Sequence, residues 1–303
     1  MADMDTDVAL ACCRQAGDAE PDDLYPDPDA APLQAALAAL GASSRLVSWD
    51  DPTVEWASFS QIVLSSTWDS VDRPRDYLAW ARNAEAVSTL VNPVAVIEWN
   101  LDKIHQRDLA AAGVPTVPTT WVASDDLWES PPEFEHVVKP SISGGGRDTA
   151  RYAAGDPAGV AHVERLQRAG QTVMVQEYQF AIDEEDETDL VFIAGAFSHA
   201  VAKKPLLVAG EGIVNRPWER MSWTGVVEPT GDQFAASEMT MRAVSELLGQ
   251  WPLYGRIDLV CSSERSPLVL EVELIDPYLS LDLEPAGATR LACALCGQTK
   301  HRR

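Results

Sequence analysis

Two short apolar runs near the end of the sequence carry charged residues at alternating positions. The first run contains Arg256 and Asp258, and the second contains Glu271 and Glu273. Side chains alternate between the two faces of a strand, so the members of each pair share a face while the aliphatic residues between them take the other. The intervening segment, 261–267, is rich in serine and ends in proline, as is typical of a hairpin loop. The pattern therefore predicts a hairpin that carries three carboxylates.

The predicted hairpin indicates a metal site. Carboxylates side by side on a mostly buried strand repel each other, and burial raises the cost. A divalent cation that prefers oxygen ligands would remove this cost, and Mg²⁺ commonly binds such ligands beside substrate phosphates. The alternative is a half-exposed strand with a solvated acidic face. The Arg-x-Asp partner strand and Asp276 just beyond the second run favour the metal site.

The charge and the cysteine content exclude several classes of function. A formal net charge of -24 argues against binding to nucleic acids or anionic membranes, which require a basic surface. No apolar run is long enough to span a bilayer, and the acidic N-terminus does not resemble a signal peptide. The five cysteines do not form a disulfide framework, so we expect a protein of the reducing cytoplasm. Cys293 and Cys296 lack a second pair, which favours helix-packing thiols over a zinc site.

The chain divides into three predicted domains, 1–99, 100–173 and 174–303. In the first domain, apolar strands alternate with helical segments at 30–40 and 77–90. This alternation predicts a parallel sheet with right-handed crossovers. Ligands of such open sheets bind beyond the carboxyl ends of the strands.

The turn after the third predicted strand is a candidate substrate edge, that is, the part of the sheet edge where a substrate would bind. It contains Thr67, Trp68 and Asp69, and Arg73 follows closely. The alternative is a turn into the next helix, with Asp or Thr as its N-cap. The residues alone leave both interpretations open.

The second domain carries two lysines and a glycine-rich loop. Lys103 lies on a helix predicted over 101–111, and Lys139 lies on an apolar strand. Three consecutive glycines, 144–146, follow Ser143 in a loop whose amides can approach phosphate oxygens closely. The loop matches neither a Walker A motif nor G-x-G-x-x-G. An ordinary turn between two strands is the alternative.

The third domain continues with strands that end in polar groups. One predicted strand ends at Glu177 and Tyr178, and a later one reaches Lys203 after an acidic stretch that contains Glu187. Residues 206–225 show no clear pattern and are predicted to form a loop over the site. Four of the five lysines in the chain fall in segments with other reasons to lie near a nucleotide. An acidic protein that binds phosphates must concentrate its few cations in this way.

In this order the motifs resemble the ATP-grasp superfamily, in its glutathione-synthetase-like and ribosomal-modification-ligase-like branch. The resemblance implies an α/β ATP-grasp fold, with an N-terminal Rossmann-like parallel-sheet domain followed by two α+β lobes that clasp ATP. It also implies an ATP- and Mg²⁺-dependent carboxylate–amine ligase that acts through an acyl-phosphate on a small amino-acid-like substrate. Family habit implies a homo-oligomer, either a dimer or a tetramer.

The resemblance assigns roles to individual residues. It implies phosphate contacts for the lysines and for the mobile glycine loop, adenine contacts for the hinge, and ribose contacts for one acid. These positions are Lys103, Lys139, Ser143, Gly144, Gly145, Glu177, Tyr178 and Glu187. It implies that Lys203 lies near the transferring phosphate and that Arg256 faces the γ-phosphate or acyl-phosphate. Asp258, Glu271 and Glu273 match the magnesium ligands, although many family members have Asn at the position of Glu273.

The segment around the substrate edge resembles one small-molecule subgroup of this superfamily. The similar residues are Thr67, Trp68, Asp69 and Arg73, together with Asn92 and the Glu-Trp-Asn sequence before Leu101. The subgroup includes a cyclo-ligase of antibiotic biosynthesis that closes O-ureido-D-serine to D-cycloserine, and this cyclisation is the predicted specialisation. An intermolecular amino acid or peptide ligase, an ATP-grasp kinase, and a non-catalytic nucleotide- or Ca²⁺-binding regulatory protein remain as alternatives.

Overall fold

Three β-sheets follow one another along the chain in the computed structural model, which describes residues 7–13, 27–214 and 221–301. The strands are β1 (Asp7–Cys12), β2 (Ser43–Ser48), β3 (Gln61–Ser66), β4 (Thr89–Val91), β5 (Thr119–Val122), β6 (His136–Pro140), β7 (Ala150–Tyr152), β8 (Val173–Glu177), β9 (Glu187–Ile193), β10 (Ala196–Lys203), β11 (Trp223–Val227), β12 (Tyr254–Cys261) and β13 (Pro267–Glu273). The helices are α1 (Ala30–Ala39), α2 (Pro74–Val87), α3 (Val94–Asn100), α4 (Gln106–Ala111), α5 (Pro157–Arg168), α6 (Ile182–Glu185), α7 (Gly231–Leu248) and α8 (Pro285–His301).

The first sheet is parallel, in the order β2-β1-β3-β4, as the alternation of strands and helices predicts. Alternate residues of β1 pack on opposite sides. Leu10 lies in one apolar cluster with Leu37 of α1 and Leu295 of α8. Ala9 lies in another with Tyr77 of α2. Helices therefore cover both faces of the sheet, which is why its central strand β1 is buried and almost entirely apolar.

The second sheet is antiparallel, in the order β5-β8-β6-β7. Helix α5 packs on it through Val163 and Leu166. The sequence analysis did not predict this helix, although its start carries a local signal: Pro157 occupies the first turn, and the Asp156 side chain accepts a hydrogen bond from the amide of Ala158. The predicted boundary between residues 173 and 174 falls at the start of β8, and β8 pairs within this second sheet.

The third sheet is antiparallel and contains the predicted hairpin, in the order β11-β10-β9-β12-β13. Strands β12 and β13 pair with Arg256 opposite Glu273 and Asp258 opposite Glu271, which confirms the hairpin. One face of the sheet packs through residues such as Phe192 on helix α7. Alternation along the strands then leaves the charged residues together on the opposite face.

Two buried asparagines fasten this hairpin to the N-terminal unit, which comprises the first sheet with α1, α2 and α3. Asn92 donates hydrogen bonds from Nδ2 to the carbonyl oxygens of Tyr254 and Leu274, at 2.8 and 2.7 Å. Asn100 donates from Nδ2 to the carbonyl of Val272 at 2.8 Å, and its Oδ1 accepts from the amide of Leu274 at 2.8 Å. Each asparagine side chain thus hydrogen-bonds backbone groups of the hairpin that have no partner within the sheet. Because these polar groups are buried and paired, they join the N-terminal unit firmly to the hairpin.

The helix predicted over 101–111 is wrong in its first half. Lys103–His105 form a 3-10 turn, and α4 follows it. The Asp102 side chain accepts a hydrogen bond from the amide of Ile104 at 3.0 Å. The amide of Lys103 bonds the carbonyl of Ser141 at 2.9 Å. These bonds, rather than a helical ladder, fix the backbone at Lys103.

Two other predicted boundaries also change. The helix predicted over 77–90 begins earlier, because Pro74 occupies its first turn, and it ends at Val87 so that β4 can pair with β3. The segment 206–225, predicted as a loop, ends in the first residues of β11. Residues 215–220 of that segment lie outside the described residues.

Candidate active site

A cavity of about 470 Å³ lies between the three sheets and is the candidate site. The first sheet contributes Trp68, the second contributes Lys139, and the third contributes Lys203 and Glu271. Residues from all three predicted domains therefore surround one space.

The cavity wall includes most of the residues that the sequence singled out. These are Trp68, Asp69, Lys103, Lys139, Ser143, Gly144, Gly145, Glu177, Tyr178, Glu187, Lys203, Arg256, Glu271 and Glu273. The other three, Thr67, Arg73 and Asp258, do not line the wall. Each of them bonds a residue that does: Asp276, Asp69 and Arg256, respectively.

The hairpin acids form a candidate ligand set for a cation. Asp258, Glu271 and Glu273 bring carboxylate oxygens within 4.8 Å of one another. Burial raises the pKa of Glu273 to about 8, although Arg256 opposes the shift. Burial likewise raises the pKa of Asp258. These directions are those expected of carboxylates that have been taken out of water.

Glu271 differs from its two neighbours because lysines surround it. Lys139 Nζ lies 3.0 Å from Glu271 Oε1. Burial acts to raise the pKa of Glu271, but Lys103 and Lys139 hold it well below its ordinary value. Glu271 is therefore ionised at neutral pH and is ready to bind a cation.

A second acidic group lies behind the first and shares Asp258 with it. Glu187, Asp189 and Asp258 also bring carboxylate oxygens within 4.8 Å of one another. Asp189 is fully buried: its Oδ2 accepts a hydrogen bond from Trp223 Nε1 at 3.1 Å, whereas its Oδ1 has no hydrogen-bond partner. The sequence analysis did not single out Asp189, although its place two residues after Glu187, on the same face of β9, is a signal that could have found it.

Arg256 joins the two acidic groups. Its Nε and Nη2 donate to the two oxygens of Asp258 at 2.6 and 2.8 Å. Its Nη2 also lies 2.9 Å from Glu273 Oε2, and its Nη1 donates to the carbonyl of Tyr278 at 3.0 Å. Burial opposes the charge, but the surrounding acids keep the pKa of Arg256 well above its ordinary value. The guanidinium is thus a fixed positive charge on the cavity wall.

The lysines bring further positive charge to the same cavity. Lys203 Nζ lies 2.7 Å from Glu187 Oε1, and both side chains are buried. Burial raises the pKa of Glu187 to about 8 against the opposing effect of Lys203. Lys103 donates a hydrogen bond to the carbonyl of Ser143 in the glycine loop. The ribose role of Glu187 remains a prediction, since here its carboxylate is paired with the lysine.

The glycine loop lies against both neighbouring units. Gly146 has a φ of +79°, and a Cβ there would overlap the side chain of Leu206. Arg147 Nη1 donates to Asp72 Oδ1 at 2.6 Å and so connects the loop to the N-terminal unit. The left-handed φ and the contact with Leu206 therefore both favour glycine at position 146.

The predicted hinge is built around Tyr178. The guanidinium of Arg151 lies 3.4 Å from the centroid of the Tyr178 ring. The Tyr178 hydroxyl donates to Asp183 Oδ1 at 2.5 Å, and its amide bonds the carbonyl of Glu135. The ring is therefore fixed at the cavity edge, while the side chain of Glu177 is exposed.

The predicted substrate edge is an ordered network. Asp69 accepts hydrogen bonds from Trp49 Nε1 at 2.7 Å and from Arg73 Nη2 at 2.5 Å. Thr67 Oγ1 donates to Asp276 Oδ2 at 2.8 Å. Asp276 lines the cavity, although the sequence analysis gave it no role beyond its place after the hairpin.

The fold and the charged cavity together define an ATP-grasp ligase. A crystal structure of D-cycloserine synthetase DcsG superposes with a TM-score of 0.84 at 32% identity, covering 96% of this chain and 99% of that one. D-alanine–D-alanine ligase from Bacillus anthracis, in complex with ATP, superposes with a TM-score of 0.69 at 12% identity, covering 98% of each chain. This second likeness shows the fold alone.

Sequence comparisons narrow the class to a family. The model for the N-terminal domain of D-cycloserine synthetase DcsG matches residues 8–92. The cycloserine biosynthesis protein DcsG of Streptomyces lavendulae is 36% identical over 287 residues, which cover 90% of this chain and 95% of that protein. The chain belongs to the DcsG family of ATP-grasp ligases, and the resemblance stated from the motifs is confirmed. Within the described residues, no helix is long and apolar enough to cross a membrane.

Proposed function

We propose that this protein is an ATP- and Mg²⁺-dependent cyclo-ligase that closes O-ureido-D-serine to D-cycloserine. The 36% identity to a cycloserine biosynthesis protein along 90% of the chain carries the choice of substrate. The lining of one cavity by Lys103, Lys139, Lys203 and Arg256 together with Glu271 and Glu273 supports the chemistry.

The hairpin side chains fit a magnesium ion. Their donor atoms are carboxylate oxygens, the hard ligands that Mg²⁺ prefers, and Glu271 is already ionised. The charge that burial disfavours on Asp258 and Glu273 is the charge that a cation stabilises. When bound, Mg²⁺ would neutralise charge on the phosphate oxygens. We assign the ion to Asp258, Glu271 and Glu273.

The cations of the cavity fit a polyphosphate and its transfer. Lys103 and Lys139 face the glycine loop and the hairpin, where they can bind phosphate oxygens. Lys203 and Arg256 lie on the third sheet and can stabilise the charge that develops on the transferring phosphoryl group. Closure of the loop that begins at Ser141 would exclude water from this step.

The proposed reaction balances with one added water. The substrate carboxylate takes the γ-phosphoryl group and becomes an acyl-phosphate, with release of ADP. The nitrogen bonded to the side-chain oxygen then attacks the acyl carbon; a C–N bond forms, the nitrogen loses its proton, and phosphate leaves with the electron pair of the broken C–O bond. Water removes the carbamoyl group as carbamate, which decomposes to carbon dioxide and ammonia.

ADP release with product mass tests the proposal. Purified protein with Mg²⁺ and ATP is supplied with O-ureido-D-serine, O-ureido-L-serine, D-alanine or a dipeptide. We expect ADP and D-cycloserine in equal amounts from O-ureido-D-serine, and a hydroxamate when hydroxylamine is added. Asp258→Asn should abolish ADP release, whereas Asp232→Asn, an exposed acid on α7, should leave it unchanged.

The other outcomes each select a different function. ADP release with D-alanine or dipeptides alone would indicate an intermolecular ligase. A phosphorylated product that hydroxylamine does not trap would indicate a kinase. Nucleotide binding without ADP release from any acid would indicate the regulatory alternative and would overturn the proposal.

A further inference from the structure

Asp276 is a carboxylate on the cavity wall to which no role has been assigned. It lies just after β13 and lines the same cavity as Glu271 and Glu273. Its neighbours on the wall include Trp68, whose indole Nε1 donates to the Asp276 carbonyl at 3.2 Å. Asp276 therefore connects the hairpin with the predicted substrate edge.

The other carboxylates on the wall are balanced by cations or exposed. Glu187 pairs with Lys203 and Glu271 with Lys139, both within 3.0 Å. Glu273 pairs in the same way with Arg256, and Asp69 with Arg73. The remaining carboxylate besides Asp276, that of Glu177, is exposed.

Asp276 has no such cationic partner among the described residues. Its Oδ2 accepts a hydrogen bond from Thr67 Oγ1 at 2.8 Å, and backbone hydrogen bonds from Thr67 and Asp276 also stabilise the carboxylate. Burial is the main cause that raises the pKa of Asp276 to about 6, and repulsion from Asp69 adds to the shift. A carboxylate in this position is stabilised by a positive group supplied from the cavity.

Buried partners fix the orientation of this carboxylate. Thr67 is fully buried, and its hydroxyl is also within hydrogen-bond distance of the Tyr77 hydroxyl, at 2.8 Å. Tyr77 is itself fully buried in the core of the N-terminal unit. Oδ2 of Asp276 is thereby held by a rigid support, while the residue remains partly exposed on the cavity wall.

We propose that Asp276 binds the α-ammonium group of the amino-acid substrate. This inference rests on the proposed function, in which the carboxyl group of an α-amino acid is activated at the hairpin. The ammonium nitrogen of such a substrate is two bonds from the carboxyl carbon, so its recognition group must lie close to the activating groups. Asp276 is three positions along the chain from Glu273, so their Cα atoms are at most about 11 Å apart in extended chain.

A matched pair of substrates tests the inference. ADP release is measured with O-ureido-D-serine and with 3-(ureidooxy)propanoate, which lacks only the α-amino group. Asp276→Asn keeps an oxygen that can accept from Thr67 but loses the charge. We expect this variant to lose about 100-fold in kcat/KM for O-ureido-D-serine, mainly through KM, and to retain its activity on the deamino acid within about threefold.

Retained turnover of the deamino acid shows that the variant folds. Equal losses on both acids would assign Asp276 a merely structural role and overturn the inference, as would no loss on either. Asp232→Asn is the control for removal of an acid elsewhere.

A binding measurement distinguishes failure of the proposed function from failure of this inference. If the unmodified protein releases no ADP from O-ureido-D-serine, calorimetric binding of this compound decides the inference. Weaker binding by Asp276→Asn would still support it, whereas equal binding, or none by either protein, would overturn it.

Discussion

Removing Arg256 should destabilise the fold in a manner that depends on pH. The guanidinium is buried and contacts Asp258, Glu273 and the carbonyl of Tyr278. Loss of one partner from a buried ion pair costs about 3–5 kcal/mol, because the other charge remains buried and unpaired. We therefore expect Arg256→Met to lower the free energy of unfolding by about 3–5 kcal/mol at pH 8.

The sign of the pH dependence follows from Glu273. Its pKa in the folded protein is about 8, above the ordinary value of 4.5, so between these values the folded state binds more protons than the unfolded state. Stability from this group is present at low pH and is lost as pH rises through the folded pKa. Without Arg256 the folded pKa rises further. Protonation of Glu273 in the variant therefore reduces the loss of stability as pH falls, by up to about 1.4 kcal/mol per pH unit for this one group.

Urea unfolding at pH 8 and pH 10 measures both effects. The loss of stability in Arg256→Met should grow by up to about 2 kcal/mol at pH 10, because the unaltered protein has then released the Glu273 proton that the variant still holds. At pH 8, 10 mM Mg²⁺ should reduce the loss if the hairpin binds the ion. Arg242→Met is the control, since Arg242 is exposed on α7 and its nearest Glu238 oxygen is 3.9 Å away. A deficit below 1 kcal/mol at pH 8, or one that grows as the pH falls, would refute the reasoning.

Three further predictions concern the loop, the buried lysine and a helix end. Gly146→Ala should lower the free energy of unfolding by about 1–3 kcal/mol and raise the KM for ATP, because the added Cβ overlaps Leu206. Gly155→Ala is the control in the same unfolding and kinetic assays. Gly155 has a similar φ but open space around it, so its variant should show the backbone cost alone. Lys203→Met should reduce the rate of ADP release by about 100-fold or more, and full activity would contradict its assignment to the transferring phosphate. Thr230→Ala, which removes the capping box of α7, should cost about 0.5–2 kcal/mol in urea unfolding without changing KM, so a shift in KM would contradict a purely structural role.

The hairpin could be predicted because its information is local. A period of two fixes which side chains share a face, so the placement of Glu271 with Glu273 and of Arg256 with Asp258 followed from the sequence pattern. The register that puts Asp258 opposite Glu271 came with the structure. The parallel sheet followed from the alternation of strands with helical segments along the first hundred residues. The lysines and the glycine loop were ambiguous one by one. They indicated a nucleotide site only because their order along the chain resembles that of the ATP-grasp superfamily.

Other features depend on contacts between distant segments. Asp276 follows a strand rather than alternating within one, and its relation to Thr67 arises from a contact across 209 positions. Lys103 was placed on a helix because its neighbours have helical propensity, but a backbone bond to Ser141 overrides that preference. Such tertiary bonds leave no periodic signal in the sequence.

The two asparagines that join the N-terminal unit to the hairpin have a consequence for the order of binding. Asn92 and Asn100 hold the substrate edge and the magnesium ligands at a fixed spacing, whereas Lys139 and the glycine loop belong to the second sheet. The part of the cavity that binds the acid is thus assembled before any substrate binds. The part with Lys139 and the glycine loop, which binds phosphates, belongs to a different sheet. We therefore expect the acid to bind in the absence of the nucleotide as well as in its presence, as in random-order kinetics.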